Sequence, residues 1–143
     1  MESTGFTWAS VGDLERGRPN LGATMRVEIY RLMQFAVRDA MAQTLVPEAA
    51  VRIFRDAGYA FGRAFRGHAI RPSADLGEFS VTISEDAGRS GLPISHATTC
   101  AYDEGVIAAL SESFCGRRFV VKEIDGWSSG DRTCRFIASA LPD

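Results

Sequence analysis

No stretch of this sequence approaches the roughly 20 consecutive apolar residues that a membrane helix needs. Its first residues, Met1-Glu2-Ser3-Thr4-Gly5-Phe6-Thr7-Trp8, show no basic segment followed by an apolar run. The expectation is a cytoplasmic chain with no membrane partner. Cysteine is scarce and odd in number, at Cys100, Cys115 and Cys134, which argues against a structural disulfide framework. The thiols are left for metal binding, reactivity or plain burial. Only two histidines occur, His68 and His96, and neither stands in a spacing that marks a metal or nucleophile motif. Glycine-rich phosphate loops are missing too: Gly58 and Gly62 fall inside a helical pattern, which excludes a nucleotide fingerprint there. Nor is there an excess of positive charge. With 16 Lys and Arg against 18 Asp and Glu, the formal charge of -2 offers no electrostatic reason for binding nucleic acid or an anionic membrane. Small molecules and proteins remain as partners.

What is present suits an ordinary globular chain. At 143 residues, 45% hydrophobic and 24% charged, it is long enough to bury a real core as one domain, 1–143, without internal repeats or a dividing linker. Residues 1–24 are polar and punctuated by Gly and Pro, and read as a packed N-terminal arm with a turn at Gly17-Arg18-Pro19-Asn20-Leu21-Gly22. From about 25 to 45, Ile29, Leu32, Met33, Ala36, Ala40 and Met41 recur at spacings of three and four. That is an amphipathic helix, with Arg31, Arg38 and Asp39 on the more exposed side. Pro47 breaks the run and suits the first turn of a second helix. The inward stripe expected of that helix is Ala50, Ile53, Phe54, Ala57, Phe61, Ala64 and Phe65, with Gly58 and Gly62 permitting close backbone approach.

The segment 67–77 carries Pro72 and reads as a connection. Phe79, Val81 and Ile83 alternate with polar residues as a strand that buries one face. A compact helix is expected over 103–114, with Asp103 at its N-cap, Val106, Ile107, Leu110 and Phe114 inward, and Gly116 as its stop. The last part of the chain predicts a hairpin that pairs 118–124 with 133–138. Phe119, Val121 and Glu123 share one face of it, and Cys134, Phe136 and Ala138 share one face of its partner. The fold class is α+β, helices packed on a small antiparallel sheet.

The hairpin tip, Glu123-Ile124-Asp125-Gly126-Trp127-Ser128-Ser129-Gly130-Asp131-Arg132-Thr133-Cys134, holds a carboxylate and a thiol, and Cys100 precedes the short helix. These three side chains are ligand candidates that converge where strand ends meet a helix start. An alternative stays open for the same residues: Cys100 and Cys134 as small buried hydrophobes, and Glu123 paired with an Arg or capping a turn. Trp127 is either a partner anchor or a cover over the site. Cys115 reads as a packing residue at a helix end.

Four segments together resemble the 4-vinyl-reductase-type (hydrocarbon-binding) domain family, small-molecule-binding modules related in fold to TRAPP trafficking subunits. They are Gly12-Asp13-Leu14-Glu15-Arg16-Gly17-Arg18-Pro19-Asn20-Leu21-Gly22, Tyr30-Arg31-Leu32-Met33-Gln34-Phe35, Cys100-Ala101-Tyr102-Asp103-Glu104-Gly105, and the hairpin from Glu123 to Phe136. The resemblance implies a zinc bound by a Cys before the short helix, a Glu on the penultimate strand, and Cys residues three and eleven positions after that Glu. By position these fall on Cys100, Glu123, Gly126 and Cys134. Glycine has no side chain, so one of the four donors is missing; three protein ligands plus water is the usual form of an open zinc site. Asp125 and His96 are nearby groups that could complete the shell. The resemblance also implies an apolar ligand pocket between helices and sheet, for which the periodicity nominates Phe61, Phe65, Phe79, Val81, Phe119 and Val121 as walls. Each of these serves equally as ordinary core. The 67–77 connection is short for the family, which leaves little chain for a lid.

Three functions follow as expectations. The first is a non-enzymatic sensing domain that binds a small hydrophobic or aromatic molecule, is stabilised by zinc, and signals through a homodimer or a partner protein. The second is a tetrapyrrole 4-vinyl reductase or an accessory factor of bacteriochlorophyll synthesis, although the chain shows no cofactor motif to supply reducing electrons. The third is a dimeric adaptor without ligand. Since the last strand is followed closely by Asp143, signalling is expected to run through association.

Overall fold

The computed structural model describes residues 8–65, 76–90, 92–95 and 100–142, without the side chains of Trp8, Leu14 and Phe65. A 3-10 turn at Trp8–Val11 and the one-turn helix α1 (Leu14–Gly17) lead into α2 (Val27–Thr44) and α3 (Pro47–Phe65). Strand β1 (Glu78–Ser84) follows, then α4 (Ala101–Cys115), β2 (Phe119–Asp125), a 3-10 turn at Trp127–Ser129 and β3 (Thr133–Ala140). The result is an α+β fold with an antiparallel sheet of order β1-β3-β2. The predicted hairpin is β2–β3, and β1 adds to the free edge of β3, so the last strand to be made is the central one.

Alternation decides which residues enter the core. Along β2, Phe119, Val121 and Glu123 are buried while Val120, Lys122 and Ile124 are exposed. Along β3, Cys134, Phe136 and Ala138 are fully buried, each at 0% exposure. The ladder sets Val81 and Glu123 on either side of Phe136, and Phe79 and Val121 on either side of Ala138. Burying a side chain such as Phe136 stabilises the fold by about 1.5–3 kcal/mol.

Helix α4 lies between α3 and the sheet. Being covered on two sides, it buries Glu104, Gly105, Ile107, Ala108, Ala109, Ser111 and Ser113 around much of its circumference, and the buried serines return their hydroxyls to main-chain carbonyls one turn back. It begins earlier than expected: the N-cap is Cys100, and Asp103 sits in the first turn. Gly116 ends it in a left-handed conformation, φ 72, with its N–H on the Glu112 carbonyl.

Two expected faces are corrected. Helix α3 meets α4 through Gly58 and Gly62, while Ile53, Ala57 and Phe61 stay exposed. Its apolar stripe is therefore turned partly away from the contact, because glycine lets two backbones approach where a side chain would hold them apart. Helix α2 has no buried residue at all: Ile29, Leu32 and Met33 are 55%, 65% and 56% exposed, whereas Arg31 and Arg38 are half-buried. The arm is corrected as well, since residues 9–13 and 15–24 are exposed rather than packed. His68, His96 and most of the 67–77 connection lie outside the described residues.

Candidate metal and ligand site

Cys134 stands near the start of β3, opposite Ile83 of β1. A bulge between Glu123 and Asp125 interrupts the β2–β3 ladder there, and bulges of this kind re-aim side chains at sheet ends. The chain then turns through Gly126, whose N–H is received by Ser129 Oγ at 2.9 Å, while that hydroxyl donates back to the Gly126 carbonyl at 2.8 Å. Cys100 arrives from the other direction as the N-cap of α4. Its sulfur lies 4.0 Å from that of Cys134, and its N–H donates to Glu123 Oε2 at 3.2 Å. The structure thus brings together all three residues nominated as ligands.

A fourth group joins them that the sequence did not single out. Asp86, on the loop after β1, places a carboxylate oxygen and the two sulfurs within 4.8 Å of one another. The preceding residue, Glu85, adopts a left-handed conformation, φ 54, which side chains rarely favour. Asp86 Oδ1 then accepts the N–H groups of Gly88 at 2.6 Å and Arg89 at 3.2 Å. Arg31 of α2 fixes this loop from outside, with Nε on the Ala87 carbonyl at 2.5 Å and Nη2 on those of Ser90 at 2.7 Å and Asp86 at 3.3 Å. No spacing rule marks an acid in such a position, so only an Asp-x-Gly turn at a strand end could have flagged it.

Negative groups crowd here. Burial, then the neighbouring Asp86 and Glu123, push the Asp103 carboxyl up to about 7, against the pull of Arg89. The Cys100 thiol holds its proton because it donates toward Cys134, and because it is buried beside Glu123. Cys134 is shifted the opposite way by that donor and by the Trp127 N–H. Two thiols and two carboxylates are a donor set that suits zinc. At a Zn–S distance of about 2.3 Å, tetrahedral geometry sets sulfurs about 3.8 Å apart, close to the separation found. Asp86, Cys100 and Cys134 lie close enough together to share a single ion of that class, and Glu123 stands beside them on the Cys100 N–H. Asp125 is directed elsewhere, into an ion pair with Arg135.

The other nominated residues divide. Phe79 and Phe119 pack edge to face at 5.6 Å, and with Val81 and Val121 they belong to the core between sheet and helix. Phe61 lies apart on α3, its ring 6.0 Å from that of Tyr102; the Phe65 side chain is outside the described residues. A separate cleft of about 130 Å³ opens between α2, α3 and the start of α4, lined by Arg38, Ala42, Pro47, Ala50, Val51, Phe54 and Ala101. Ala101 follows Cys100 directly, so cleft and thiol cluster share one helix terminus. Trp127 packs against the core beside that cluster as a cover.

No protein-family model and no curated protein matches the chain. Solved structures do. A vinyl-4-reductase family protein from Methanocaldococcus jannaschii superposes over 99% of this chain and 99% of its own, with a TM-score of 0.58 at 13% identity. The chain has the fold of that vinyl-4-reductase family protein. The phenol-responsive sensory domain of the transcription activator PoxR, solved with phenol, matches 82% of this chain and 76% of its own, with a TM-score of 0.59 and 13% identity. At such identity the likeness is one of architecture. No helix among the described residues is long and apolar enough to cross a membrane.

Proposed function

We propose that this domain binds a small apolar or aromatic molecule without transforming it, beside a zinc ion held by Cys100, Glu123 and Cys134, and reports the bound state through a homodimer or partner protein. The observation that carries this reading is the cleft that shares the start of α4 with the thiol cluster, lined by Ala101 next to the N-cap Cys100. An apolar cavity of about 150 Å³ accommodates a benzene-sized guest, and the cleft is of similar size at about 130 Å³. Its apolar walls reward burial by about 25 cal/mol per Å². Arg38 adds one guanidinium to those walls, which favours a ring bearing a hydroxyl or carboxylate. Likeness of fold to a phenol-responsive domain supports the same class of ligand. The zinc would supply a fixed charge and a cross-link between β2, β3 and α4.

The exposed apolar face of α2 also suits a ligand-free dimeric adaptor, and one experiment separates the two. Thermal unfolding is followed with phenol and with benzoate, for the wild type and for Ala42→Phe, which fills the cleft from an exposed position. At about a hundred times Kd, a bound ring adds about 2.7 kcal/mol, or roughly 5–10 °C for a domain of this size. The sensing reading expects a saturable rise that Ala42→Phe removes. No rise with either probe, in a chain that stays folded, favours the adaptor. Zinc content by elemental mass spectrometry, in the wild type and in Cys100→Ser, Glu123→Gln and Cys134→Ser, tests the metal.

A further inference from the structure

We propose that Asp86 is the fourth ligand of the metal centre, closing a shell of two thiolates and two carboxylates around one zinc-class divalent cation, in place of the donor that position 126 lacks. This rests on the metal reading above and adds a residue to it.

Position 126 does face the site. Its backbone is extended, φ −175, so any residue could adopt it. A Cβ there would stand 3.3 Å from the Cys134 sulfur and collide with Glu123 Oε1. The Glu123 carboxylate occupies the space that a side chain at 126 would need. The last donor has to come from elsewhere. Asp125 is held by Arg135.

Asp86 meets the requirement on three counts. Its carboxylate lies within 4.8 Å of both sulfurs. It is 7% exposed, and while Oδ1 receives two N–H groups, Oδ2 is buried with no hydrogen-bond partner among the described residues. A buried carboxylate oxygen without a partner is costly, and a cation removes that cost. Finally, protein contacts hold the loop in place: the Asp86 turn fixes its own backbone, and Arg31 binds three of its carbonyls. Preorganised ligands of this kind keep a site from being too loose to bind. Coordination by Asp86 would also tie the metal to α2 through Arg31, a link that a ligand at 126 would not make.

The test uses full-length protein purified without an affinity metal, with zinc affinity measured by chelator competition and coordination read from the absorption of the cobalt(II) form. Asp86→Asn keeps the Oδ1 acceptor for the turn and should weaken zinc by about tenfold or more. Asp86→Cys provides a gain of signal that misfolding cannot imitate: thiolate-to-cobalt charge transfer should rise from the strength of two thiolates to that of three. Weakening of less than tenfold in Asp86→Asn, or charge transfer in Asp86→Cys no stronger than in the wild type, overturns the assignment. If Cys100→Ser and Cys134→Ser still abolish binding in that case, the metal reading survives without Asp86. Wild-type protein that takes up neither zinc nor cobalt overturns both.

Discussion

Gly58 of α3 lies directly against the main chain of Tyr102 in α4: a Cβ at 58 would collide with the Tyr102 carbonyl oxygen and stand 2.8 Å from its carbon. Gly105 makes the reciprocal approach from α4, where an added Cβ would collide with the Arg55 carbonyl oxygen and reach 2.6 Å from the Tyr59 nitrogen. Backbone atoms cannot swing aside as a side chain can. Gly58→Ala and Gly105→Ala should each destabilise the protein by about 2 kcal/mol or more, the cost of overpacking exceeding the roughly 1 kcal/mol that alanine gains in a helix. Gly17→Ala, with open space around it and no positive φ, is the control and should be neutral or slightly stabilising. Urea unfolding of the three variants checks this; stabilised Gly58→Ala or Gly105→Ala would refute the close crossing.

Glu104 ties three elements together. Its Oε2 receives Arg55 Nε at 2.9 Å and Nη2 at 2.7 Å from α3, and Lys122 Nζ at 3.4 Å; Oε1 receives the Glu123 N–H at 3.1 Å. Its side chain is 8% exposed and that of Lys122 58%. Glu104→Ala leaves a buried N–H and a half-buried guanidinium without their partner, so a loss of about 3 kcal/mol is expected. Lys122→Ala should cost less than about 1 kcal/mol, because the ammonium is in water. Equal losses for the two variants would mean that the carboxylate is not the anchor.

All three tyrosines are held above their ordinary phenol range. Burial raises Tyr30, burial and the hydrogen bond to Glu112 raise Tyr59, and burial pushes Tyr102 up to about 12. The folded chain therefore keeps protons that the unfolded chain releases near pH 10. Stability from this source is complete below pH 10 and is lost as pH rises toward 12. Ultraviolet titration should show less tyrosinate at pH 10 in native protein than in urea, where about half of the phenols are ionised. A native titration centred at 10 would refute the burial of these rings.

Much of this architecture is legible because some signals are local. Alternation alone assigned Phe119, Val121 and Glu123 to one face, and Cys134, Phe136 and Ala138 to another; Pro47 and Gly116 marked where helices start and stop. Periodicity shows that a face will be covered without saying by what, which is why α2 was expected to pack inward and instead exposes Leu32 and Met33. Gly58 and Gly62 mark the close approach of α3 to a neighbour, which is α4, whereas the apolar stripe expected beside them leaves Ile53, Ala57 and Phe61 exposed. Cys100 took the N-cap expected of Asp103 because that terminus is set by the sheet and loop around it, with no side-chain cap. Asp86 is not legible in the sequence because only the folded chain brings the loop after β1 to the thiols. Six pocket candidates chosen by periodicity could not be separated from core, since both demand the same residues.

The apolar face of α2 gives the last prediction. Ile29, Leu32, Met33 and Val37 are 55%, 65%, 56% and 49% exposed, an apolar surface of the kind that marks interaction sites. Spaced at three and four, they line one side of the helix, as a two-fold pairing with a second copy requires. Leu32 is 65% exposed on a helix that buries no residue of its own, so Leu32→Asp should change monomer stability by no more than about 0.5 kcal/mol. At a dimer interface the same change desolvates a carboxylate without a partner and should weaken association at least about tenfold. Sedimentation velocity over a concentration series, with circular dichroism on the same samples, distinguishes the cases. A dimer that dissociates in Leu32→Asp while its helix content holds supports self-association through α2. A wild type that stays monomeric at every concentration sinks it, and a dimer indifferent to the substitution places the contact on another face.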